Sequence, residues 1–137
     1  MKRIRDLELF KQIKEIREFE FGRFYFFKDG IIISEINEGV IFKWENAKRV
    51  INASKEIYDG DLPVVYLSNR INKYYVVSVY WLEFYKNRYN IAHYAVVGST
   101  KGSFLSLFLE RLFFGKSIAR FQELDQAVEW AVSKAKI

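Results

Sequence analysis

The stretch YAVVGSTKGSFLSLFLERLFF, residues 94–114, decides how the rest of the chain is read. Ala95, Val96 and Val97 form a short apolar run rich in β-branched residues, closed by Gly98. A run that short beside a glycine suits a buried strand better than a helix. Ser99, Thr100, Lys101 and Gly102 are loop chemistry, and Ser103 is placed to cap a following helix through its hydroxyl. Leu105, Phe108, Leu109 and Leu112 then fall on one helical stripe, and Gly115 supplies a stop. The plan is strand, polar joint, helix.

Outward from there the plan repeats. Downstream, residues 118–121 make a strand and 124–135 a helix with Leu124, Ala127, Val128, Ala131 and Ala135 as its apolar face. Upstream, Ile91 to Val97 is a strand, and a helix over 76–89 carries Val77, Tyr80, Trp81 and Phe84 at helical spacing. Before it, Pro63 opens a strand at 64–67, followed by a polar loop, 68–73. A helix over 44–58 buries Ala47, Val50, Ile51 and Ile57. Near the start, two β-rich runs at 18–28 and 31–37 flank Asp29-Gly30, the strongest short-range signal for an antiparallel hairpin. Residues 1–17, with Ile4, Leu7, Ile13 and Ile16 among charges, suit a short amphipathic helix, although Leu7 and Leu9 also alternate like a strand. This N-terminal arm either packs on its own domain or docks on a partner or membrane surface.

The reading is an α/β fold: an N-terminal hairpin and then βα repeats, giving a five-stranded mixed sheet with four helices. A chain of 137 residues, half of them apolar and with thirteen Phe and nine Tyr, builds one domain, 18–137, behind the 1–17 arm. Cysteine is absent, so disulfides and thiolate metal sites are excluded. No apolar run approaches the ~20 residues of a membrane span, and the charged N-terminal stretch without a continuous apolar run behind it argues against a secretory leader. A cytoplasmic protein is expected. The net charge of +5 is spread among Glu and Asp, which does not favour nucleic acid.

Two joints are candidate binding loops. In 68–72, Arg70 is suited to hold a carboxylate or phosphate through two parallel hydrogen bonds, with Ser68, Asn69 and Asn72 orienting it. Alternatively Ser and Asn satisfy local backbone, and Arg70 pairs with Glu35 or Glu38. In 98–103, Ser99, Thr100, Lys101 and Ser103 present either a plain capped turn or an anion cradle. Lys101 precedes Gly102, whereas a phosphate loop wants lysine after its second glycine. Both joints are expected at one sheet edge, where ligands bind in open α/β sheets. His93 is the sole histidine, so a zinc site or Ser-His-Asp triad lacks material. No cofactor is implied, and an enzyme would have to be built around His93 and Arg70.

The strand–helix–strand–helix run from Tyr94 to Ala131, ending in IARFQELDQAVEWAVSKA (118–135) with Phe121, Ala127 and Trp130 in a closing strand and helix, resembles the SpoIIAA-like, or STAS, domains. EINEGV (35–40) and YLSNRINKYYV (66–76) are similar to a bacterial branch of that family. The resemblance implies sequential strands with helices mostly on one face, and hence a homodimer or the 1–17 arm covering the other. It also implies a non-catalytic regulatory or protein-interaction module. The alternative is a binder of a lipid-like or other small apolar or anionic ligand, suggested by the aromatic content and by family members linked to lipid carriers. Family members that switch partners are phosphorylated on a serine in an Asp-Ser-Ser-Gly stretch. The matching stretch here is RINKYYVVSVYW, which offers only Ser78.

Overall fold

A computed structural model describes residues 11–58, 63–72, 74–76, 91–98 and 119–135. The order is β1 (Ile13–Phe19), β2 (Gly22–Phe27), β3 (Ile31–Ile36), β4 (Ile41–Phe42), α1 (Trp44–Ile57), β5 (Val64–Asn69), β6 (Tyr75–Val76), β7 (Ile91–Val97), β8 (Ala119–Phe121) and α2 (Leu124–Ala135). The main sheet has six strands in the order β1-β2-β3-β5-β7-β8, and β4 pairs with β6 in a small second sheet. β1, β2 and β3 are antiparallel neighbours, and β3, β5, β7 and β8 are parallel. The segments 64–67, 95–97 and 119–121 are thus sheet neighbours, as the alternating plan requires.

Three expectations change. The sheet gains a strand at its start, because residues 13–17 are not helical. They belong to β1, which joins β2 through a turn at Glu20 and Phe21. Ser68 and Asn69 end β5 instead of opening a loop, and Val76 lies in β6 instead of a helix. The helices expected at 77–89 and 103–114, like residues 1–10, lie outside the described residues.

The β2–β3 hairpin shows why Asp29-Gly30 was informative. Gly30 N–H donates to the Phe27 carbonyl at 3.2 Å, and Gly30 takes φ 81°. The loop is the three-residue kind, with a left-handed glycine completing the reversal. Tyr58, just after α1, fastens the hairpin: its hydroxyl donates to the Phe27 carbonyl at 2.6 Å.

Strand alternation sorts the core into two faces. On one, Phe24, Phe26, Ile32, Val64 and Val96 pack with Ala47, Val50, Ala53 and Ile57 of α1. On the other, Tyr25, Phe27, Ile33, Leu67 and Ala95 pack with Leu124, Ala127 and Ala131 of α2. One transverse row runs Ile16, Tyr25, Ile33, Leu67, Ala95, Ala119 across all six strands. Ala127 and Ala131 of α2 are fully buried, and their small side chains let the helix lie close on the strands.

The two described helices therefore lie on opposite faces. α2 contacts β3, β5, β7 and β8. No described helix is long and apolar enough to cross a membrane.

Candidate functional site

β3 reads IIISEI and β5 reads VVYLSN. Each begins apolar and becomes polar near its C-terminal end. The register sets Ser34 beside Ser68, which leaves Glu35 beside Asn69 on the opposite face. The result is a polar band across the centre of the sheet, with hydroxyls on the α1 face and a carboxylate and amide on the α2 face.

Beside this band is a cleft of about 300 Å³, lined by Glu18, Phe19, Gly22, Arg23, Glu35, Asn37, Ile71 and Asn72. Three pieces of chain build it. The first is the β1–β2 turn. Its register sets Glu18 beside Arg23, and the two side chains form an ion pair on the rim. The second is the end of β3. Asn37 donates its backbone N–H to the Phe21 carbonyl at 2.9 Å and its amide to the Glu20 carbonyl at 3.1 Å. The third is the segment leaving β5, where the Asn72 amide donates to the Ile36 carbonyl at 3.0 Å. These side chain–backbone bonds brace the walls without regular structure.

Gly22 is a geometric requirement of the cleft. A Cβ there would stand 2.9 Å from the Glu35 carbonyl oxygen and 2.9 Å from the Ile36 Cα. Both obstacles are backbone, so β3 would have to move. Gly22→Ala is expected to cost about 1–3 kcal/mol, the range for overpacking a tight site. Guanidinium denaturation against the wild type measures it, and an unchanged midpoint would show that β2 and β3 separate freely.

Glu35 forms the floor and is only 8 % exposed. Its carboxylate accepts from the Asn69 amide at 3.0 Å and from the Tyr25 hydroxyl at 3.4 Å. Burial is the main cause that raises the Tyr25 phenol above its ordinary range. Tyr25 and then Glu18 hold the Arg23 guanidinium above its own. Tyr25 therefore remains a proton donor to Glu35 at neutral pH.

The four candidates from 68–72 do not share one site. Asn72 lines the cleft, and Asn69 positions Glu35 beneath it. Ser68 lies on the α1 face, with its hydroxyl 2.9 Å from that of Tyr74. Arg70 stacks on the Tyr74 ring at 4.5 Å and donates to the Tyr74 carbonyl at 3.0 Å. Arg70 is thus held by an aromatic residue, not by Glu35. Ser99, Thr100, Lys101, Ser103 and Ser78 lie outside the described residues.

His93 is on the α2 face, edge-on to Trp130 with ring centroids 6.0 Å apart. Arg70 is level with Val97, to whose carbonyl its backbone N–H donates at 3.0 Å. Four residues of strand, about 13 Å, and opposite faces separate His93 from Arg70. They do not converge in one cleft. Among the described residues no group of three or more His, Cys, Asp or Glu is placed to hold a metal ion.

Reading single residues missed Glu35, Arg23 and Tyr25. A signal was present: two apolar strands each end in a polar dipeptide, Ser-Glu and Ser-Asn, and side-by-side strands must bring those pairs together. Set against family models, curated proteins and solved structures, the chain matches none of them.

Proposed function

We propose that the chain is a non-catalytic, SpoIIAA-like (STAS) regulatory module that receives a protein partner at the cleft beside the ends of β3 and β5. The observation that carries this reading is the cleft itself: a concave, largely polar surface at the C-terminal ends of parallel strands. Open α/β sheets bind their ligands at such ends. The sequential order β3-β5-β7-β8 after an N-terminal hairpin supports the family likeness. The hydrogen-bonded walls supply a preorganised surface, which lowers the ordering cost of association.

The lining does not favour a lipid. Among the described lining residues, Phe19 and Ile71 are the only large apolar ones, and an acyl chain needs a longer apolar wall. A small polar molecule is the second reading, because about 300 Å³ lies at the lower end of ligand-site volumes. Site-directed photo-crosslinking in the native host tests the proposal. A crosslinker at Ile71 is expected to yield a discrete heavier adduct, and one at the exposed Gln126 on α2 is not. Equal adducts from both positions, or none from Ile71, would remove the cleft as a partner surface. A co-purified small molecule in the native mass spectrum, lost on Asn72→Trp, would decide for the second reading.

A further inference from the structure

The α1 face of the sheet holds a second group of polar side chains that the cleft does not use. Ser34 and Ser68 are register neighbours on β3 and β5, each only 1 % exposed. Tyr66 and Tyr94 are neighbours on β5 and β7, with stacked rings 5.1 Å apart. The Tyr74 hydroxyl is 2.9 Å from Ser68 Oγ, and the Arg70 guanidinium covers the Tyr74 ring. Five hydroxyls and one guanidinium therefore gather near the ends of three parallel strands.

The hydrogen bonds within this group are incomplete. Ser34 Oγ is buried without a well-formed hydrogen bond, although the Tyr66 phenol is near enough to interact with it. A buried hydroxyl without a partner is costly, and native structures leave few of them. A guanidinium carries five N–H donors, and among the described residues Arg70 donates one side-chain hydrogen bond, to the Tyr74 carbonyl. No carboxylate among the described residues forms an ion pair with it. Arg70 is partly exposed at the edge of the group, while the three phenol groups are buried, so a ligand would meet the guanidinium first.

We propose that Arg70, with the hydroxyls of Ser34, Ser68, Tyr66, Tyr74 and Tyr94, binds the oxyanion group of a small ligand, a carboxylate or a phosphate. The chemistry is one-sided in the required sense. Every side chain in the group donates, none carries negative charge, and the only formal charge is a cation suited to paired oxygens. Burial pushes the Tyr66, Tyr74 and Tyr94 phenols above their ordinary range, so they stay protonated donors at neutral pH. An oxyanion would also give Ser34 a better-placed acceptor than the Tyr66 phenol. The inference stands on side chains other than those lining the cleft, and it holds or falls independently of the partner surface.

The test is a titration of the full chain with inorganic phosphate and, separately, acetate, followed by the NMR signal of the Arg70 Nε–H. A saturable shift is expected. Arg70→Gln should weaken binding at least about tenfold, the loss of a charge-assisted pair. Tyr66→Phe should weaken it by a smaller factor. Lys28→Gln, in the hairpin at the other end of β3, should leave it unchanged. Tighter binding of acetate assigns a carboxylate ligand, and tighter binding of phosphate a phosphorylated one. Absence of a saturable shift with both anions overturns the proposal, as does equal affinity in all four proteins. If Arg70→Gln fails to fold, the wild-type Nε–H signal and Tyr66→Phe make the same decision.

Discussion

Phe24→Ala is expected to lower the unfolding free energy by about 3–5 kcal/mol, the usual cost of deleting a buried phenyl ring. Phe24 has no exposed surface. Its ring meets Phe19 edge-on at 5.7 Å and Phe21 at 5.9 Å. Phe19 and Phe21 stack at 5.0 Å, and Phe21 meets Phe42 at 5.6 Å. The cluster ties the β1–β2 turn to the α1 face, so the cavity has few neighbours able to collapse into it. A domain of this size has roughly 5–15 kcal/mol in total, so one substitution removes a large part of it. Urea denaturation should show a lower midpoint with an unchanged slope. A loss under about 1 kcal/mol would mean that the ring is not part of the core.

The second large effect is alkaline. Tyr66, Tyr74 and Tyr94 all have phenol pKa values raised from the ordinary 10.0, with burial as the largest cause. Above pH 10 the unfolded chain releases these protons while the folded chain keeps them, so the native state binds more protons and stability falls as pH rises. Their contribution is fully present below pH 10 and is lost as pH climbs toward the folded-state values. Each phenol contributes at most about 1.4 kcal/mol per pH unit, so the three together give at most roughly 4 kcal/mol per unit. Urea melts at successive pH values above 9 measure the slope. Tyr66→Phe should reduce it by about one third. A flat profile through pH 11 would place these phenols in water.

Much of this architecture was legible because local chemistry and tertiary packing agree. Asp29-Gly30 announces a reversal that its backbone makes, and 124–135 shows a clean apolar face that lies on the sheet. β1 was obscured by a single extra residue. Ile13 pairs with Phe27 and Glu15 with Phe26, so Lys14 is a bulge in the ladder. The bulge sets Ile13 and Ile16 three positions apart while both face the α2 side, and that spacing imitates a helix. Its charged residues compound the effect, since edge strands tolerate Lys, Glu and Arg where central strands do not.

The candidate sites were legible only in part, for a different reason. Residues 68–72 look like one polar loop because adjacent letters suggest adjacent side chains. In an extended strand, neighbours point apart, and Ser68 and Asn69 were sent to opposite faces. Tyr66 and Tyr94 lie 28 positions apart in sequence, and only the pairing of β5 with β7 brings them together.

That α2 is made after the strands it covers has a cost during synthesis. Until residues 124–135 leave the ribosome, Leu67, Ala95 and Val97 lack the helix that covers them in the finished domain. A nascent chain halted before Leu124 would carry an uncovered greasy stripe, the kind of surface that recruits chaperones or drives precipitation. Vectorial synthesis thus makes this helix the step that covers the stripe.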